Sequence, residues 1–186
     1  MQSHEMRSGH VARAGVGFGY SENSVTMIAT PLYSNTTLVS FIPAIALGGT
    51  VVFCGKFNAL DYVALAAKHK ATHAMLVPVQ YKRIMALPNF DDFDLSSFLV
   101  KFSTSAPFAA ELKADILARW PGGLVEFYGM TEGGGTCILV AHEHPDKLHT
   151  VGVPAEGHDI RLIDDDGNEV GPGKMGELVG ASEAMM

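Results

Sequence analysis

Apolar positions along this chain change period at regular intervals, from short continuous runs to runs spaced at three and four. Val25 to Ala29 is a continuous run of strand length, and Thr36 to Leu47 then reads as a helix, with Ser34 or Asn35 as its cap and Gly48-Gly49 as its stop. Thr50 to Phe53 returns to strand. Asn58 is placed to cap the next helix, in which Leu60, Val63, Ala64 and Ala67 share the spacing of one buried stripe. His73 to Val77 follows as strand, and Pro78 suits the first turn of a helix running to about Leu87. Pro88-Asn89 and the acidic Asp91-Asp92-Phe93-Asp94 predict a surface loop. Phe98 to Ser103 is the next strand. Pro107 opens another helix with Phe108, Leu112 and Ile116 in line, and Pro121-Gly122-Gly123 ends it before the strand Leu124 to Tyr128. Gly15, Gly17 and Gly19 alternate ahead of the first strand rather than after one, so a flexible connector is expected there, not a dinucleotide loop.

Strands separated by helices of this length imply a parallel sheet with flanking helices, because a parallel neighbour needs a crossover connection. All strand C-termini then point to one edge, where ligands bind in such sheets. That edge gathers Thr30-Pro31-Leu32-Tyr33-Ser34, Pro78-Val79-Gln80, Thr104-Ser105-Ala106-Pro107 and Gly129 to Glu132 into one expected cleft.

Past Val140 the pattern changes. His142-Glu143-His144-Pro145 opens a polar loop, His158 to Ile163 alternates in period two, and Asp165-Asp166-Gly167-Asn168 is a turn signal with Glu177-Leu178-Val179 as partner strand. The expected organisation is an α/β unit over 1–140 and a small β module over 141–186 that the chain does not complete. His142, His144, His149 and Glu143 match no zinc spacing. Asp164 to Asn168 lacks the first acidic ligand of a calcium loop, Leu162 standing there, so a hairpin turn is expected.

Composition narrows the function classes. The chain has 186 residues, 47% apolar and 18% charged, enough for a buried core and too apolar for disorder. A net charge of -7 with no Lys/Arg run argues against a nucleic-acid partner. Cys54 and Cys137 have no metal or disulfide spacing, which suits a reducing, cytoplasmic setting. The apolar stretch from Leu38 to Phe53 is interrupted by Pro43 and Gly48-Gly49 and falls short of the roughly 18 residues of a transmembrane segment.

The chemistry concentrates after the fifth strand. In Phe127-Tyr128-Gly129-Met130-Thr131-Glu132, Gly129 permits a sharp turn that presents a phenol, a hydroxyl and a carboxylate together. Tyr128 offers a flat face to a base, Thr131 a donor to a phosphate oxygen, and Glu132 a hard ligand for the magnesium that accompanies phosphates. The alternative is a strand end with a solvated turn.

Tyr128-Gly129-Met130-Thr131-Glu132 resembles the nucleotide-binding signature of the adenylate-forming superfamily, which includes acyl-CoA synthetases, coumarate-CoA ligases, luciferases and peptide-synthetase adenylation domains. Thr30-Pro31-Leu32-Tyr33 resembles that family's acyl-tunnel segment, and Ser103 to Phe108 its adenine loop, usually richer in glycine. Val151-Gly152-Val153-Pro154, Asp166-Gly167 and Gly176-Glu177-Leu178 match the stretch entering its β-barrel subdomain. The resemblance implies one α/β subdomain of the adenylate-forming fold followed by a β-barrel-like segment. It also implies a two-step ligase: a carboxylate attacks the α-phosphate of ATP, giving acyl-adenylate and pyrophosphate, and coenzyme A displaces AMP.

By motif matching, Ser105, Ala106 and Pro107 border adenine, Phe127, Tyr128, Gly129 and Met130 contribute to the nucleotide site with Tyr128 stacked on the base, Thr131 touches the α-phosphate, and Glu132 holds Mg²⁺. The implied acid is fatty or aromatic, and Met130 with Gly133, Gly134 and Gly135 would line its channel. Ser34 stands where many members carry a gating histidine. The family's glycine-rich phosphate loop would precede Ser3-His4, and its ribose-binding aspartate, hinge and lid lysine would follow Met186, so an internal piece, inactive alone, is expected. A homo-oligomer is expected to cover the surface left bare. The competing class is a non-catalytic nucleotide-binding or self-associating module of the same fold.

Overall fold

The computed structural model describes residues 3–132 and 135–182; Gly133 and Gly134 lie outside them. Helix α1 (His4–Gly17) leads into strand β1 (Val25–Ile28), and four αβ units follow. The first is α2 (Asn35–Ala46) with β2 (Thr50–Phe53), and the second is α3 (Ala59–His69) with β3 (His73–Leu76). The chain continues through α4 (Pro78–Met85), β4 (Val100–Ser103), α5 (Ala110–Arg119) and β5 (Gly123–Tyr128). Strands β6 (Cys137–Val140) and β7 (Val153–Pro154) complete a seven-stranded sheet of order β2-β1-β3-β4-β5-β6-β7. Strands β8 (His158–Ile163) and β9 (Glu177–Ser182) form a separate antiparallel pair.

The five strands read from periodicity pair in parallel, with Met75 opposite Ile28 and Phe102, and Phe102 opposite Val125. Antiparallel pairing begins earlier than the sequence pattern implies. The link from Tyr128 to Cys137 is too short for a crossover, so β6 can only return alongside β5.

Two apolar layers sandwich the sheet. One joins Met27, Leu76 and Leu124 to Tyr62, Tyr81, Ile116 and Trp120 from α3, α4 and the end of α5. The other joins Met75, Phe102 and Val125 to Tyr20 and to Ala44 of α2. At about 25 cal/mol per Å² of apolar surface removed from water, such layers dominate folding.

Local signals worked where a polar side chain could close the helix. Asn58 Oδ1 accepts from the amides of Leu60 and Asp61, at 2.9 and 3.1 Å. The turn at 164–168 closes on itself, Asp164 Oδ1 accepting from the amides of Asp166 and Asn168 with Gly167 left-handed.

Several expectations are corrected. The stripe on α3 has the wrong phase: Tyr62, Val63 and Ala66 are buried, whereas Leu60 and Ala64 are exposed, because the large phenol takes the sheet-facing position. The loop after Leu87 is not wholly superficial, since Phe90 is buried against Trp120. The last crossover helix starts at Ala110, leaving Phe108 as a buried anchor before it. The glycine-rich N-terminal stretch is helical through Gly15, not a connector. A Cβ there would lie 2.6 Å from Leu47 Cδ1, so glycine lets α1 close on the end of α2. Arg7 Nη2 donates to Asn35 Oδ1 at 2.7 Å and His10 Nε2 lies 3.0 Å from the Val39 carbonyl. Among the described residues no helix is long and apolar enough to cross a membrane.

Candidate functional site

The chain leaves β1 for β2 on one side and returns to β3 on the other, so the order of strands reverses between β1 and β3. In open α/β sheets the crevice outside the strand carboxyl ends at such a reversal receives ligands. Three of the segments expected there are tied together by hydrogen bonds. Gln80 Nε2 donates to the Ala29 carbonyl at 3.1 Å while its Oε1 accepts from the Val77 amide at 3.1 Å. Thr37 Oγ1 donates to the Pro31 carbonyl and lies 2.6 Å from Thr30 Oγ1. Thr36 Oγ1 lies 2.8 Å from Ser105 Oγ, bridging the first turn of α2 to the loop after β4.

Ser105 carries an unusual backbone. Its φ is 76°, and the other non-glycine residue with positive φ among those described, Lys70, sits at the ordinary left-handed cap of α3. A serine in this region costs of order 1 kcal/mol relative to glycine. Ser105, Ala106 and Pro107 are exposed. The loop therefore holds a strained, outward-facing serine at the crevice, with the positive end of a twelve-residue helix beside it.

The fourth segment leaves β5. Tyr128 is 44% exposed and Gly129, Met130, Thr131 and Glu132 are exposed beyond it. Gly129 fits closely, since a Cβ would lie 3.1 Å from Gly135 O and 3.2 Å from Thr136 Oγ1. Phe127 points the other way. Its ring packs at 5.9 Å from Phe18 and 5.7 Å from Phe102, so its side chain serves the core.

Sequence reasoning placed Thr30 and Gln80 at the cleft without their hydrogen-bonding role and missed Thr36 and Thr37. Their signal was a hydroxyl pair in the first turn of a helix and an amide in the first turn of another, each just past a strand end. It also left two lysines without a role. Lys101 is buried in β4, its Nζ donating to the carbonyls of Trp120, Pro121 and Gly122 at 3.1, 2.7 and 2.8 Å. Burial lowers its pKa to about 7. Lys113 of α5 is ion-paired with Glu126 of β5, and burial raises the Glu126 pKa while the Lys113 hydrogen bond and charge pull it back. Neither lysine reaches the crevice surface, both being buried.

His142, just past β6, serves structure. His142 Nδ1 lies 3.2 Å from both the amide and the carbonyl of Leu124. Among the described residues no three His, Cys, Asp or Glu side chains cluster as a metal site. A phosphate-borne Mg²⁺ needs only one or two carboxylates and keeps its water, so exposed Glu132 fits that ion without a cluster.

A family model described as AMP-binding enzyme matches residues 1–186. Over 157 residues the chain is 32% identical to a feruloyl-CoA synthase from Amycolatopsis sp, covering 82% of this chain and 31% of that protein. Over 141 residues it is 33% identical to an indoleacetate-CoA ligase from Aromatoleum aromaticum, covering 74% of this chain and 27% of the ligase. The chain thus spans about a third of the length of the curated relatives it matches. Among solved structures, the amide bond synthetase McbA from Marinactinospora thermotolerans superposes with a TM-score of 0.85 at 24% identity, over 100% of this chain and 37% of that one. The o-succinylbenzoate coenzyme A synthetase of Bacillus subtilis, in complex with ATP and magnesium, gives 0.83 at 21% identity, over 100% of this chain and 38% of that one.

Proposed function

The chain belongs to the AMP-binding enzyme family, and from that premise we propose that it forms the nucleotide- and acid-binding part of an acid-thiol ligase. The reaction joins a hydrophobic carboxylic acid, aromatic or fatty, to coenzyme A by way of an acyl-adenylate. The observation that carries this reading is the crevice itself: an exposed phenol, a hydroxyl and a carboxylate leave β5 next to a loop whose Ser105 is held left-handed toward the same edge. Relatives named for ferulate and indoleacetate favour an aromatic acid.

In this reading the residues position more than they react. Tyr128 stacks on adenine and Ser105 to Pro107 border its edge. Thr131 hydrogen-bonds the α-phosphate as the acid's oxygen attacks it. Glu132 holds Mg²⁺, which neutralises charge on the phosphates. The crevice wall at Leu32, Tyr33 and Met130 is apolar and exposed, suited to the acid's body. Catalysis of such a step rests on alignment and electrostatic stabilisation of the phosphoryl oxygens.

AMP and ATP titrated by calorimetry against the 186-residue chain, with and without Mg²⁺, test the binding. Saturable AMP binding weakened in Tyr128→Ala is the expected result; no binding of either nucleotide by a folded chain overturns it. Pyrophosphate release with aromatic and fatty acids is expected near background for this polypeptide alone, because neither of its buried lysines reaches the phosphates. An acid-dependent rate of ordinary enzyme size would reverse that.

A second reading has its own observation. Strand β2 is a sheet edge with Phe53 exposed, and Ile45 is exposed on the neighbouring helix. Open edges of this kind pair with other strands, so self-association of the chain is proposed alongside nucleotide binding. Light scattering across a concentration series decides it, a monomer throughout being the contrary result.

A further inference from the structure

Lys113 and Glu126 lie outside the ligand-facing surface, yet they join α5, β5 and the loop ahead of α5, which carry two of its segments. Lys113 sits in the first turns of α5, with its Nζ on the carboxylate of Glu126 in β5. The same ammonium donates to the Thr150 carbonyl at 3.0 Å and lies 5.6 Å from the centre of the Phe108 ring. Phe108 is the buried anchor of the loop between β4 and α5, stacked on Tyr81 at 5.5 Å. Glu126 pairs in register with Ser103. Two residues beyond each of these, Ser105 and Tyr128 begin the two arms of the crevice.

An ion pair this deeply buried, with side chains 2% and 6% exposed, is a poor source of stability. Desolvating both groups offsets their attraction, and apolar residues of similar volume commonly serve as well or better. What apolar residues do not supply is direction. A carboxylate and an ammonium that must meet fix the distance between α5 and β5, and with it the spacing of the loop that enters one and the turn that leaves the other.

We infer that Lys113 and Glu126 are positioning residues, locking the Ser105 loop and the Tyr128 turn at the separation an adenine base requires. The last clause rests on the nucleotide reading above; the locking does not. Removing both charges together leaves no unpaired ion, so the double variant Lys113→Met/Glu126→Leu is expected to fold with a melting temperature close to that of the parent chain.

Two measurements on it separate the claims. Backbone ¹⁵N order parameters in the free protein should fall from about 0.85 toward 0.6 at 104–109 and 128–132, with 100–103 and 123–126 unchanged. AMP affinity should weaken about tenfold. Order parameters unchanged in both arms would overturn the locking. Loosened arms in a protein whose parent binds no AMP would uphold the locking and overturn the nucleotide reading. If the double variant fails to fold, Glu126→Gln keeps the size and one hydrogen bond of the carboxylate. It should loosen the same two arms to a smaller degree, and unchanged arms there would overturn the locking.

Discussion

The two ends of the parallel sheet use similar side chains in opposite ways. At the amino end, His73 is stacked at 4.0 Å on Tyr20 with Nε2 2.9 Å from the Phe18 carbonyl, His142 is fixed on Leu124, and Lys101 is folded into three carbonyls. At the carboxyl end, Tyr33 is 90% exposed, and Ser105, Tyr128 and Glu132 also face solvent. Polar groups at one end are consumed by the backbone they close. Those at the other are held out, at some cost in local strain. The amino end therefore carries stability and the carboxyl end is the face proposed to bind, and substitutions should divide along that line.

The largest effect is expected from Lys101→Ala. It strips three carbonyls of their donor and opens a cavity beside Trp120, which together should cost about 4 kcal/mol in urea unfolding with AMP affinity of the folded protein unchanged. A loss under about 1 kcal/mol would break the division.

The same lysine gives a pH test. Burial sets its folded pKa near 7 against an ordinary 10.5, so between those values the folded state holds fewer protons than the unfolded chain. Stability should rise with pH through that window. The rise, read as the difference between the parent chain and Lys101→Met in urea midpoints from pH 6.5 to 9.5, should disappear in the variant; parallel curves would contradict it.

Tyr128→Ala sharpens the other side. With the phenol half in solvent, stability should change by less than about 1 kcal/mol, while AMP binding weakens by about 1 to 3 kcal/mol if the ring stacks on the base. Unchanged calorimetric affinity would remove the stacking role.

The smallest effect is at Ser105. Glycine relieves the left-handed backbone but loses the Thr36 hydrogen bond and loosens the unfolded chain, so Ser105→Gly should stay within about 0.5 kcal/mol of the parent. Ser105→Ala keeps the strain without the bond and should be less stable than Ser105→Gly. The reverse order in thermal unfolding would show that the loop is unstrained.

The division was half legible in the sequence. Crossover lengths and period changes are local, and they foretold the parallel core, the helix capped by Asn58 and the hairpin of β8 and β9. Tyr128 to Glu132 stood out because a glycine amid polar residues after an apolar run has few structural uses, and the structure leaves the segment exposed. Helix α1 was not, because its glycines favour helix only once Gly15 meets Leu47. Strand β6, four residues like β1 to β4, was hidden because no crossover helix announces it. Lys101, Lys113 and Glu126 carried no legible role, since nothing in a one-dimensional pattern distinguishes a lysine facing water from one facing carbonyls or a buried carboxylate. Thr36 and Ser105, 69 positions apart, meet through topology alone.

The sole tryptophan lies at the amino end, and this makes the molecule its own selective reporter. Trp120 is buried among Tyr62, Tyr81, Phe90 and Phe98, with the Lys101 ammonium 5.7 Å from the centre of its ring. Light absorbed by the two neighbouring phenols passes to the indole, whose colour responds to the nearby charge. Its emission should therefore follow unfolding and the titration of Lys101, yet stay silent when a ligand occupies the far edge of the sheet. An optical screen for ligands that relied on this fluorescence would see a blank where binding occurs.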